Sequence, residues 1–301
     1  MENHNNLEDW LKTLIIKSSS QHTIDAYRSD LNIFLNYCSS VKLDLNDLEA
    51  SDLRGFIVYC VEAKGLTNKT VRRYLTSIRS YMKWMQQNGR IEVDNAQDVS
   101  LKRHPRNLPN IISEEDMCLL LDQPDPQLKN DIWLWKRDKA MFEVLYSSGL
   151  RVSELVNLTL QNIDLRNNLV RVIAGKGNKD RNVPLGSKAI SALQVWLEFR
   201  LEKKPTTNTL FLNRLGNKLT IQQVRNRVVL QAKRAGLSEH MHPHLFRHCF
   251  ATHLLSASGD IRAVQEMLGH ADISSTEIYT QVDFASLTRT YDAAHPRASK
   301  K

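Results

Sequence analysis

The sequence predicts a mainly α-helical protein with a small β-hairpin or sheet, arranged as a four-helix domain followed by a mixed α/β domain. Three observations predict it. Helical periodicity runs almost unbroken from about residue 7 to 88, residues 101–111 (LKRHPRNLPNI) interrupt it, and β-branched alternation is confined to two runs, 169–174 and 181–185. Apolar residues three and four apart line one helix face, whereas period-two alternation lines one face of a strand. The interruption carries two prolines and three basic side chains. Proline biases its predecessor away from helix, so 101–111 reads as a basic extended linker between domains at 1–100 and 112–301.

Leu7, Trp10, Leu11, Leu14 and Ile15 form the first amphipathic set. Ile24, Tyr27, Leu31, Phe34, Leu35 and Cys38 define a second helix beginning near Thr23. Asp44, Asn46 and Ser51 are turn and cap residues before a third helix around Leu53 to Ala63. Gly65 and Thr67-Asn68 separate that helix from a fourth, with Val71, Leu75, Ile78, Met82 and Met85 inward and Gly89 as its stop. Arg72, Arg73, Arg79 and Lys83 decorate the fourth helix, as a solvated basic face or as one that contacts phosphates.

The second domain opens at Ser113-Glu114-Glu115, a helix start with an acidic first turn. A long helix from about Asn130 to Ser147 ends at Gly149, and Arg151 then stands at the start of the next. An arginine there costs about half a kcal/mol against the helix dipole unless an anion is near, which hints at an anion site. The two alternating runs predict a hairpin with Lys176 of the GKGNK turn at or beside its tip. This turn lacks the GxxxxGK[ST] spacing of a nucleotide-binding loop. Helices over 187–201 and 220–235, with a short strand Leu210–Leu212 between them, complete the middle of the domain.

Composition narrows the function. Lys plus Arg total 41 against 33 for Asp plus Glu, a formal charge of +8, which favours a polyanionic partner and nucleic acid first. Four scattered cysteines (Cys38, Cys60, Cys118, Cys249) offer no CxxC pair, so neither a disulfide framework nor a zinc ribbon is indicated. The polar, acidic N-terminus argues against a signal peptide, and no apolar run nears the roughly 18 residues of a membrane span. A soluble cytoplasmic protein is expected.

Residues 242–282 carry the chemistry. After Pro243, Leu245, Phe246, Cys249, Phe250 and Leu254 fit one helix face, with His244, Arg247 and His248 to the other side. Gly269-His270 and Tyr279 follow. Arginine offers a planar fork to phosphate oxygens, histidine supplies a donor or proton near neutral pH, and tyrosine supplies a phenolate nucleophile. A metal site could instead draw on His240, His242, His244, His248 and His253, but no acidic residue accompanies them at HExxH spacing.

The set Arg151 after SSGL, Lys176 in GKGNK, His244 and Arg247 in HPHLFRH, His270 in LGHADISST and Tyr279 in IYT resembles the tyrosine recombinase (phage-integrase-like) family. Five separately spaced motifs match, over the whole second half, and the first half resembles that family's core-binding domain. The closing YDAAHPRA is similar to the Xer branch. Cys249 stands where serine is more usual, and packing is its expected role. The resemblance implies attack by Tyr279 on a DNA phosphate to give a 3′-phosphotyrosine, Arg151 and Arg247 on the non-bridging oxygens, and Lys176 protonating the 5′-oxygen. It further implies a hydrogen bond from His270, and His244 in proton movement or phosphate positioning. No metal or nucleotide cofactor is implied. The implied partners are a double-stranded DNA recombination site, a sister recombinase in a heterotetramer reached through a docking tail from about residue 284, and an activating septal DNA translocase. Chromosome-dimer resolution is the expected task. Integration of a phage or mobile element by the same chemistry is the alternative.

Overall fold

The computed structural model describes residues 2–17, 19–99, 101, 112–173, 180–203, 205–237, 241–269 and 284–298. They belong to two compact units, Met1–Asn107 and Leu108–Lys301. The expected linker lies almost wholly outside the described residues.

The first unit is helical. α1 (Glu2–Ile16), α2 (Gln21–Ser40), α3 (Ala50–Val58, continued by a π turn Tyr59–Ala63) and α4 (Asn68–Gln87) bury Leu31, Phe34, Phe56, Ile78 and Met82 between them. Side-chain caps place the helix starts: the Ser20 hydroxyl accepts the Thr23 N–H at 3.2 Å, and the Thr67 hydroxyl accepts the Thr70 N–H at 3.4 Å. α2 therefore begins slightly before the position that its apolar spacing suggests. Two basic residues of α4 serve the fold. Arg73 pairs with the buried Asp30 at 2.7 Å, and Arg79 donates to the carbonyls of Ala96 and Val99, tying down the chain that leaves the unit.

The second unit wraps α5 (Glu114–Leu121), α6 (Lys129–Ser148), α7 (Val152–Asn157), α8 (Ser187–Glu202), α9 (Ile221–Arg234), α10 (Pro243–Ser258), α11 (Ile261–Leu268) and α12 (Phe284–Ala294) around one core. α6 is central and packs on α8 and α10, with the Phe142 and Phe246 rings 5.4 Å apart. β1 (Ile163–Asp164), β2 (Leu169–Val172) and β3 (Arg181–Pro184) form an antiparallel sheet in that order, with Val172 opposite Arg181.

One expectation is corrected here. Leu210–Leu212 is not a strand; single bridges from Thr209 to Thr159 and from Leu212 to Lys218 hold it, because Asn213 turns the chain by accepting the Leu215 and Asn217 N–H groups. β1, at two residues, is too short for alternation to reveal.

The end of the chain does not fray over its described part. α12 buries Leu287 and Tyr291. The Tyr291 hydroxyl lies 2.5 Å from the Ser147 hydroxyl, which also accepts the Gly186 N–H at 2.7 Å. Gly186 must lack a side chain, since a Cβ there would meet the Arg297 carbonyl oxygen at 2.1 Å. His295 donates through Nε2 to the Tyr146 carbonyl at 3.1 Å and accepts the Arg297 N–H on Nδ1. Arg297 forks onto Asp122 at 2.7 and 2.9 Å and also pairs with Glu143.

Candidate active site

Three helix ends converge where the sequence places its arginines. α6 stops at Gly149, which takes a left-handed φ of +59°, and a Cβ there would lie 2.4 Å from Phe250 Cδ1. Two residues later Arg151 caps α7. On α10, which Pro243 starts as its first residue, Arg247 donates to the Gly149 carbonyl at 2.7 Å and to the Leu268 carbonyl at 2.9 Å. One guanidinium thus braces the C-termini of α6 and α11, where the helix dipole favours a cation.

Glu154, in the first turn of α7, explains how an arginine is tolerated at the helix start. Its Oε2 accepts the Arg151 backbone N–H at 2.7 Å and its Oε1 accepts Arg151 Nη1 at 3.1 Å. The same carboxylate takes a fork from Arg181 on β3, at 3.1 and 3.0 Å, and Arg181 Nε donates to the Met267 carbonyl at 2.8 Å. Three arginines therefore surround one glutamate. Burial, reinforced by the nearby Arg151 and Arg181 charges and opposed by Glu154, pushes Arg247 down to about 10. Burial alone would raise Glu154, but hydrogen bonds from Arg181 and the Arg151 N–H, with both arginine charges, hold it below the usual carboxylate range.

Of the six residues expected at the site, the structure brings Arg151 and Arg247 together. His244 lies one turn before Arg247 on α10, exposed, with its ring 6.4 Å from that of His242. Lys176, His270 and Tyr279 lie outside the described residues. Sequence reasoning missed Glu154 and Arg181. A signal for Arg181 exists: it shares the buried face of β3 with Val183, an inward position for a charged residue.

The histidine-rich stretch is distributed to other tasks. His253 is buried, accepting from the Tyr146 hydroxyl at 2.9 Å and donating to the Ile112 carbonyl at 3.0 Å. Among the described residues no three His, Cys, Asp or Glu side chains are grouped to hold a metal ion. Cys249 is packed, its thiol pushed up by burial.

Comparison with known proteins identifies the family. Residues 112–286 match the phage integrase family, and residues 7–89 match the N-terminal SAM-like domain of phage integrases. The chain belongs to the phage integrase family. This tyrosine recombinase, a DNA strand-transferring site-specific enzyme, is 43% identical to tyrosine recombinase XerC of Stutzerimonas stutzeri over 94% of its own length and 92% of that protein's. It is 44% identical to tyrosine recombinase XerC of Azotobacter vinelandii over the same shares. In fold it matches the XerH site-specific recombinase bound to a palindromic difH substrate, with a TM-score of 0.70 at 24% identity, covering 95% of this chain and 80% of that one.

Proposed function

We propose that this XerC-like recombinase cuts and rejoins DNA through a 3′-phosphotyrosyl intermediate on Tyr279 and resolves chromosome dimers with a sister (XerD-like) recombinase. The observation that carries the chemistry is the convergence of Arg151 and Arg247: Arg247 donates to the carbonyl of Gly149, two residues before Arg151, and the Arg151 charge adds to the burial that lowers the basicity of Arg247. Two half-buried cations so held gain from a bound phosphodiester and gain more as charge develops in a phosphorane-like transition state. Tyr279 Oη attacks phosphorus and the bond to the 5′-oxygen breaks, with Lys176 giving the leaving oxygen its proton. Because an unperturbed tyrosine has a pKa of about 10, the phenol requires a base or a cationic field to react. His270 donates to a non-bridging oxygen, and His244 assists proton movement or positions the phosphate. The phosphotyrosine conserves the bond energy, so rejoining requires neither metal nor nucleotide.

In this reading residues 1–100 bind the core DNA, 101–111 join the halves, and 112–301 hold the chemistry. The protein works in the cytoplasm, in a heterotetramer on two duplexes, under a septal DNA translocase. Among the described residues no helix is long and apolar enough to cross a membrane. The tail from about 284 docks on a neighbouring subunit. Truncation is a poor test of that, because Tyr291 and Arg297 also seal the core of their own unit. Reversing the exposed Arg289 to Glu should leave the melting temperature unchanged but alter which subunit pair cuts; an unaltered order of strand exchange counts against docking.

The test of the chemistry is trapping on a nicked suicide substrate carrying a candidate dimer-resolution site, with the sister recombinase present. Wild type should yield an SDS-resistant protein–DNA adduct and Tyr279→Phe none. An adduct that survives in the variant moves the nucleophile elsewhere.

A further inference from the structure

Arg181 is 8% exposed, yet the strand-cleavage chemistry assigns it nothing. Its guanidinium is spent inside the protein: two nitrogens fork onto Glu154 and the third donates to the Met267 carbonyl. Gly269, with φ of +66°, makes room for it, since a Cβ there would stand 3.0 to 3.2 Å from the Arg181 side chain. Each Glu154 oxygen also accepts from Arg151, one from the side chain and one from the backbone. A forked pair fixes the plane of a carboxylate as well as its distance. The Arg151 side chain is consequently set by a carboxylate that Arg181 orients. Arg181 and Arg247 hold adjacent carbonyls, Met267 and Leu268, at the end of α11.

We propose that Arg181 is a positioning residue for strand cleavage, aiming Arg151 at the scissile phosphate through Glu154 and keeping Glu154 from neutralising it. The inference rests on the reading of Arg151 as a phosphate-holding group. Without Arg181, the hydrogen bonds that hold Glu154 in this network come from Arg151, with Arg247 as a further nearby charge, and the Arg151–Glu154 pair closes on itself. The cation then turns from the phosphate towards the carboxylate, and its charge is cancelled. Misplacement of about 1 Å at a positioning group can cost about 100-fold in rate.

The test measures single-turnover cleavage by the full-length protein on the nicked DNA that wild type cleaves, together with DNA affinity and melting temperature. Arg181→Met should cleave about 10- to 100-fold more slowly, with affinity for DNA within about threefold of wild type. Adding Glu154→Gln to Arg181→Met should recover a large part of that loss, because the amide no longer competes for the Arg151 charge. A residue that only supports the fold would not be rescued by removing a second ion-pair partner. Arg181→Lys, which keeps the charge but not the fork, carries the same comparison if the methionine variant does not fold. Wild-type cleavage by Arg181→Met, or a loss that Glu154→Gln leaves unchanged or worsens, overturns the proposal. Arg151→Ala is the control: if it cleaves at the wild-type rate, the phosphate-holding reading itself fails, whereas a dead Arg151→Ala beside an active Arg181→Met refutes only the positioning role.

Discussion

Two arginine–carboxylate clusters of the second unit use the same groups in opposite proportion. Around Glu154 stand Arg151, Arg181 and Arg247; around Arg297 stand Glu143 and Asp122. Burial lowers the basicity of Arg247 and of Arg297 alike, but the outcomes diverge. Arg247 is pushed down to about 10 with Arg151 adding to the effect, whereas hydrogen bonds and charge from Asp122 and Glu143 hold Arg297 above its ordinary value. A cation that its surroundings disfavour gains from an added anion; one flanked by two carboxylates gains little. On the proposed reading the first cluster receives a phosphate, whereas the second holds chain to chain.

The comparison is sharpest if each cluster loses an arginine. Arg247→Ala should cost about 100- to 1,000-fold in cleavage, the scale of losing one transition-state oxyanion donor, with a smaller fall in melting temperature from releasing the Gly149 and Leu268 carbonyls. Suicide-substrate kinetics within about threefold of wild type would place the phosphate elsewhere. Arg297→Ala should do the converse, costing about 3–5 kcal/mol by stranding the buried Glu143, while molecules that stay folded cleave normally. Urea midpoints read this directly. Replacing both partners, Glu143→Gln with Arg297→Met, should return much of the stability, since a buried pair is worth far less than its broken half costs. If the double variant is no more stable than Arg297→Ala, the cost lies in tail packing rather than in an unpaired charge.

The same contrast separates what was legible in the sequence from what was not. Helices showed through the spacing of Leu31, Phe34 and Leu35 or of Phe246, Cys249 and Phe250, because a buried face imposes a period on the chain. The hairpin showed through Val170, Val172 and Val183. Arg151 and Arg247 stood out by their motifs, and the structure brings them together. Glu154 did not stand out, because its work is a contact with a residue 27 positions away, and no local pattern encodes which carboxylate a strand arginine will meet. Arg73 and Arg79 looked like a free basic face until Asp30 and the Ala96 and Val99 carbonyls came into view. The tail was least legible: His295 and Arg297 have no apolar period, and they are buried by hydrogen bonds and ion pairs instead.

That burial makes the smallest prediction, a pH dependence with a defined sign. Burial, with added repulsion from Arg297 and His253 and partial relief from the Tyr146 carbonyl, pushes His295 down to about 3. Its ring stacks on Tyr291 at 4.7 Å and keeps the neutral form, with the proton on Nε2. An unfolded chain binds a proton at an ordinary histidine pKa of about 6.5. Below that pH the unfolded state therefore holds a proton the native state refuses, and stability falls on acidification by up to about 1.4 kcal/mol per pH unit. Asp122 and Glu154, both held below the usual carboxylate range, add losses of the same sign only at lower pH. In the window from about pH 6.5 to 5, His242, also held below its ordinary value by burial, adds a loss of the same sign, and the raised Asp30, Glu143 and Asp292 carboxyls oppose it, so the difference in slope between wild type and a His295 variant isolates the His295 share. His295→Gln, which can still donate to Tyr146 but cannot titrate, should flatten the slope of unfolding free energy against pH across that window. An equal slope in the two proteins would mean that His295 accepts protons in the native state, and that the tail is not sealed against its own unit as the Arg297 cluster requires.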